Sequence, residues 1–105
     1  MMLTTKEQNF LTAAKEGNFE EIKTIFSQNE KINLNVKDAM GNTALILAAE
    51  KGDLDIMEFL LQKGISLQEK NFLDNNVLHV LARLGNVKAI RALKNYTAFN
   101  PNFRN

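Results

Sequence analysis

Apolar residues in the middle of the chain follow the spacing of amphipathic helices. Residues 44–49 form a short apolar run that leads to Gly52, and residues 54–62 then carry apolar side chains on one face of a second helical segment. Glycine supplies the left-handed backbone that ends a helix, and an Asp after it caps the next one. The pattern therefore predicts two short helices that meet at Gly52 and Asp53.

This pair of helices recurs along the chain. Residues 52–60 align with residues 85–93, which lie 33 positions later, and a third copy begins at Gly17, which lies 35 positions before residue 52. The two extra residues of the longer spacing are expected within residues 29–34. Self-similarity at a fixed period of this length is typical of repeat proteins.

Chemically similar caps stand at the same place in all three copies. Asn18 and Asn86 occupy the position of Asp53, so each second helix is expected to begin with a capping side chain. Helix pairs that bury only one face each need neighbours. The period thus predicts an all-α solenoid of stacked helix-turn-helix units with short protruding turns, with Leu45 and Leu78 in the core between units.

The residues of the middle copy resemble the ankyrin repeat, in which a turn with Asp and Gly precedes Thr-Pro-Leu-His, a helix of small residues, a Gly and a Leu-Leu helix. Residues 38–52 match best, with Ala44 in place of the proline and Ile46 in place of the histidine. The third copy keeps the histidine as His79 but has Asp74 in place of the turn glycine. Because Asp tolerates a positive φ better than most residues, that turn is expected to form.

The resemblance covers roughly residues 5–97 and implies one ankyrin-repeat domain over residues 1–105. Its repeats are expected at approximately 5–37, 38–70 and 71–103. The first copy lacks the preceding turn, so it is expected to be a capping repeat with a polar outer face.

The C-terminal end departs from the other copies. Leu81 and Leu84 stand where the second copy has an alanine and a lysine, and the period places residues 98–103 in the extended segment that follows a second helix. Apolar residues at such sites indicate that another segment covers this end of the stack. Either Phe99 and Phe103 fold back over the last repeat, or the chain is the front part of a longer protein.

Composition and charge narrow the range of functions. With 45% hydrophobic and 24% charged residues the chain reads as an ordinary soluble globular protein. A net charge of +1 argues against nucleic acid as a partner. The absence of cysteine excludes disulfides and thiolate chemistry, and no apolar run is long enough for a signal peptide or a membrane span. We therefore expect a cytoplasmic protein with no membrane partner, although delivery by another route stays open.

Residues that carry catalysis in other proteins have structural explanations here. His79 is the only histidine and lacks both a second metal ligand and a nucleophile, so it is expected to form a structural hydrogen bond beside Asn76. Glu20 and Glu21 fall in the first turn of a predicted helix, where the helix dipole favours carboxylates. We expect no catalytic residue, no metal site, no cofactor and no enzymatic activity.

A partner protein is the expected ligand, because the resemblance implies that turn tips and first helices line a concave binding surface. The residues expected to contact the partner are Ala39, Met40, Asn42, Glu50, Lys51, Phe72, Leu73, Asn75, Arg83 and Leu84. Turn tips are usually polar, so Met40, Phe72 and Leu73 either pack on an adjacent turn or await a partner. Arg83 is either a charged rim contact or a solvated side chain.

A structural or assembly role is the alternative function. In that case the C-terminal end stacks on further repeats or on another copy of the chain. Otherwise the chain is expected to be a monomer.

Overall fold

Six α-helices follow one another in the computed structural model, which describes residues 3–28 and 32–99, and no strand occurs within these ranges. The helices are α1 (Thr5–Glu16), α2 (Phe19–Ser27), α3 (Ala44–Lys51), α4 (Leu54–Gln62), α5 (Val77–Arg83) and α6 (Val87–Phe99). The predicted all-α class is confirmed.

Side-chain caps open the second helix of each pair, as the sequence predicts. A side-chain oxygen of Asn18, Asp53 or Asn86 accepts a hydrogen bond from the backbone N–H three residues later, in each case at 3.1 Å. Thr43 and Asn76 open α3 and α5 in the same way. Each cap satisfies a backbone donor that has no partner within its own helix.

The helices pack as pairs whose first members lie side by side. Helix α3 contacts α1 on one side and α5 on the other, while α1, α3 and α5 each pack on the helix that follows them. Every residue from 44 to 49 is buried, because α3 is enclosed by these neighbours. This is the arrangement of a short solenoid.

Phenylalanine side chains join the first two helix pairs. Edge-to-face contacts connect Phe10 to Phe26 at 5.7 Å between ring centroids, Phe26 to Phe59 at 5.5 Å, and Phe59 to Phe19 at 5.3 Å. The Lys63 ammonium lies 5.2 Å from the Phe59 ring centre. Because aromatic pairs of this geometry add to the burial energy, the cluster stabilises the junction of α1, α2 and α4.

Two expectations at the C-terminal end are wrong. Leu45 is 1% exposed, but Leu78 is 40% exposed, because no described element covers the far side of α5. Helix α6 runs on through Phe99, although the period places an extended segment from residue 98. Thr97 stands where the middle copy has Gly64, whose φ of 97° ends the helical path, and threonine does not enforce that stop.

Some sequence predictions fall on residues that the structure does not describe. The two extra residues between the first and second copies are expected within residues 29–34, and the structure does not describe residues 29–31. It also does not describe residues 100–105, which include Phe103. The fold-back of Phe99 and Phe103 side chains therefore lies outside the described part of the chain.

Candidate functional site

Two turns of the same design protrude before α3 and α5. In residues 38–42 the Asp38 carboxylate accepts hydrogen bonds from the N–H groups of Met40 and Asn42, each at 2.9 Å. In residues 71–75 the Asn71 side-chain oxygen accepts from the N–H groups two and four residues later, each at 3.0 Å. These side chains hold the backbone of each turn in a closed loop.

Hydrogen bonds join the two turns into one surface. The Phe72 N–H donates to the Met40 carbonyl at 3.0 Å, and the Asn71 amide donates to the Asn42 side-chain oxygen at 2.9 Å. Because both turns are braced internally and to each other, their tips form a pre-organised platform.

Bulky apolar side chains lie at the tips of both turns. Phe72 is 71% exposed, Leu73 is 70% exposed and Met40 is 56% exposed. The Phe72 ring nevertheless lies against Gly41, since a Cβ built on that glycine would lie 2.6 Å from a ring carbon. Phe72 therefore contacts the adjacent turn, although it leaves most of its surface in solvent, as Leu73 and Met40 do.

A cleft of about 480 Å³ lies between these turns and the first helices. Its lining residues are Met40, Asn42, Glu50, Asn71, Leu73, Asn75 and Arg83. Six of the seven are predicted partner-binding residues, and α3, α5 and the two turns bring them together. Asn71 is the one lining residue that the sequence prediction missed, although it stands one period after Asp38 and has the same role in its turn.

An ion pair between two lining residues of the cleft joins α3 to α5. An Arg83 guanidinium nitrogen lies 2.7 Å from a Glu50 carboxylate oxygen, and both side chains are about half exposed. Surface pairs of this kind contribute at most about 1 kcal/mol to stability. Since a guanidinium has five N–H donors, Arg83 keeps donors for a partner while it is paired with Glu50.

The remaining predicted contact residues lie outside the cleft. Ala39 and Phe72 are exposed on the turns, Lys51 lies at the C-terminal end of α3, and Leu84 follows α5 with 47% of its surface exposed. The structure therefore divides the predicted set into a cleft group and a scattered group. The assignment of all ten residues to partner binding stays a prediction.

His79 has the structural role that was expected. Its Nδ1 accepts a hydrogen bond from the Asn76 N–H at 3.1 Å, and the Asn76 side chain accepts from the His79 N–H at 3.0 Å. This reciprocal pair caps α5. Within the described residues no three His, Asp or Glu side chains are grouped as metal ligands. None of the helices in residues 3–28 and 32–99 has the length and apolar content needed to cross a membrane.

Comparison with known proteins gives one consistent set of relatives. The family model that describes ankyrin repeats in three copies matches residues 3–71. Human short transient receptor potential channel 3 is 31% identical over 97 residues, which are 92% of this chain and 10% of that protein. Mouse short transient receptor potential channel 4 is 30% identical over 97 residues, which are 90% of this chain and 9% of that protein. The chain thus spans about a tenth of the length of these channels.

A solved structure has a similar backbone. It is a chain from the complex of the predatory endopeptidase Bd0816 of Bdellovibrio bacteriovorus with the immunity protein Bd3460. The TM-score is 0.76 at 30% identity, and the match covers 90% of this chain and 47% of that one. Sequence and backbone comparisons therefore agree on the type of fold.

Proposed function

The chain belongs to the ankyrin-repeat family, whose repeats are generally protein-interaction modules, and we propose that it binds a partner protein through its turn tips and first helices. The observation that carries the proposal is the cleft, because it gathers six of the predicted contact residues on braced elements. In this proposal the chain is a cytoplasmic monomer that is not an enzyme and needs no cofactor, membrane or nucleic acid.

The chemistry of the cleft suits a protein surface. Met40 and Leu73 line the cleft with exposed apolar groups, whereas amide side chains and the Glu50–Arg83 pair provide polar contacts. Apolar anchors within a polar rim are typical of protein–protein interfaces. The similar chain from the endopeptidase–immunity protein complex is an example of this fold in a protein assembly.

The test replaces the two exposed apolar residues of the cleft, Met40 and Leu73, without changing the core. The variant is Met40→Ser/Leu73→Ser, and Val87→Ser is the control because Val87 is an exposed apolar residue that does not line the cleft. Phe72 is left intact because its ring packs on Gly41. Since the replaced side chains are exposed, we expect all three chains to have similar thermal unfolding midpoints.

Quantitative affinity capture followed by binding to the purified partner is the measurement. We expect the wild type and the Val87→Ser variant to capture the same partner. We expect the Met40→Ser/Leu73→Ser variant to bind that partner at least about tenfold more weakly. Equal affinity for all three chains would reject the cleft as the binding site.

One observation supports the alternative assembly role. The surface of the last helix pair carries three exposed apolar side chains, Leu78, Leu84 and Val87. In this alternative a second copy of the chain covers that surface. Sedimentation would then show a mass that rises with concentration, and Leu78→Lys would abolish the rise because it places a charge in the contact. A clean monomer at high concentration rejects self-stacking.

A further inference from the structure

Charge is distributed unevenly along the chain. All twelve Asp and Glu residues lie within residues 1–74, together with eight lysines, whereas residues 75–105 contain five Lys or Arg residues and no acidic residue. The net charge of +1 therefore combines a charge of −4 in the first part with a charge of +5 in the second. Such a distribution attracts an anionic partner to one end of the molecule and repels it from the other.

Three of the five cations lie on one side of α6. Lys88, Arg91 and Lys94 follow at intervals of three residues, which makes them neighbours on a helix, and all three are exposed. We call these three residues the basic face. In the described part of the chain no carboxylate lies within ion-pair distance of the basic face, whereas Arg83 in the same helix pair is joined to Glu50.

The basic face is electrostatically unfavourable for α6 taken by itself. Lys88 lies in the first turn, where the helix dipole favours carboxylates, and its neighbours on the helix carry the same charge. The first turns of the equivalent helices hold acidic residues instead, Glu20 and Glu21 in α2 and Asp55 in α4. Helix stability therefore does not account for three cations at these positions, whereas a ligand that neutralises them would.

Acidic side chains limit the width of the basic face. Asp55 and Lys88 line the same cavity of about 410 Å³, so α4 adjoins α6 at this point. One period before Lys88 and Arg91, α4 carries Asp55 and Glu58. A wide anionic surface, such as a bilayer or a nucleic-acid duplex, would meet these carboxylates as well as the cations. A narrow acidic ligand meets the cations alone.

We propose that the basic face binds a short acidic segment of a partner protein, whose Asp or Glu carboxylates pair with Lys88, Arg91 and Lys94. The face is about 9 Å long, since a helix rises about 1.5 Å per residue. This length matches carboxylates on adjacent turns of a helix, or on about three or four extended residues. No residue of α6 lines the cleft, so this surface is separate from the proposed binding site and goes beyond it.

A glutamate decapeptide is the probe for this surface, and a lysine decapeptide is the ligand of opposite charge. Each is titrated into the full 15N-labelled chain at about 50 mM salt and followed by NMR. We expect the glutamate peptide to shift the amide signals of residues 87–95, with shifts that shrink as salt is raised, and the lysine peptide to leave these signals unchanged. No shifts in α6 at millimolar glutamate peptide would overturn the inference.

Two variants of the same net charge locate the contact. Arg91→Gln/Lys94→Gln neutralises part of the basic face, and the matched control Lys15→Gln/Lys23→Gln neutralises two exposed lysines of α1 and α2. We expect the first variant to bind the glutamate peptide about fivefold or more weakly than the wild type, because two charge-assisted contacts are lost. The control should stay within about twofold of the wild type. Equal affinities of the two variants would overturn the inference, since net charge alone would then govern binding.

Other anionic ligands are outcomes of the same test. Phosphatidylcholine vesicles with about 30% phosphatidylserine, and a short DNA duplex, are compared with the peptide at about 50 mM salt. We expect neither ligand to retain the wild type, because Asp55 and Glu58 lie beside the basic face. Retention by vesicles or by DNA that Arg91→Gln/Lys94→Gln abolishes would assign the basic face to that ligand and overturn the inference.

Discussion

At the scale of single residues, a contact between two turns depends on one missing side chain. Gly41 has a φ of 82°, and a Cβ there would meet both the Phe72 ring and the Phe72 nitrogen below 3.0 Å. A bulky ring is tolerated at a turn tip because the backbone beneath it has no side chain. The glycine is required both for its conformation and for the close approach.

The first prediction separates these two requirements. Gly41→Ala introduces both a positive-φ alanine and a clash, whereas Gly85→Ala introduces only the former, because no atom lies within 4 Å of a Cβ at Gly85. We expect Gly85→Ala to lower the free energy of unfolding by about 1–2 kcal/mol and Gly41→Ala by a further 1–3 kcal/mol or so. Urea unfolding followed by circular dichroism measures both. Equal losses would show that the Phe72 ring moves away at no cost.

At the scale of elements, the helices are too short to be stable alone. The six helices have between 7 and 13 residues, and isolated helices of this length are marginal in water. Side-chain caps and burial on neighbouring helices therefore supply their stability. The cap at the start of each second helix is Asn, Asp or Asn, three residues that accept the same hydrogen bond.

The second prediction tests the cap of α4. Asp53→Ala should lower the free energy of unfolding by about 0.5–2 kcal/mol, because the Ile56 N–H loses its partner. Asp53→Asn should retain most of that stability, since asparagine is the natural cap of α2 and α6. Chemical denaturation compares the variants, and an Asn variant as unstable as the Ala variant would assign the effect of Asp53 to its charge instead of its hydrogen bond.

At the scale of the whole molecule, the two ends of the stack differ. The exposed residues of α1 are all polar, namely Thr5, Gln8, Asn9, Thr12, Lys15 and Glu16, as expected for a capping repeat. Helix α5 instead exposes Leu78 and Ala82, which stand one period after the buried Leu45 and Ala49. Position within the stack, and not residue type, decides which of these equivalent residues is buried.

The third prediction follows from that asymmetry. Leu45→Ala should cost about 2–5 kcal/mol, because Leu45 is 1% exposed and its truncation leaves a cavity in the core. Leu78→Ala should cost about 1 kcal/mol or less, because an exposed side chain loses little burial. Urea unfolding of both variants in the same buffer is the measurement. A Leu78→Ala loss as large as that of Leu45→Ala would mean that Leu78 is covered in solution.

Much of the candidate site can be predicted from the sequence, because the sequence repeats and equivalent residues can be aligned. Once the 33-residue period aligns Asp38 with Asn71 and Glu50 with Arg83, the turn residues and the first-helix residues fall on one surface. The period does not say which of them share a cleft: Leu84 and Lys51 have the expected register but lie away from it. The repeat boundaries at 5–37, 38–70 and 71–103, like the contact set, stay predictions.

The local structure of this protein follows from its sequence, because caps, glycine stops and apolar periodicity act over a few residues and their spacing predicts the helices and their order. Three features depend on the packed fold instead: the exposure of Leu78, the pairing of Arg83 with Glu50 and the contact of Phe72 with Gly41. Each of these depends on residues about 30 positions apart or on a neighbour that is present on one side and absent on the other. Periodicity treats every repeat as equivalent, whereas packing distinguishes a repeat with two neighbours from a repeat with one.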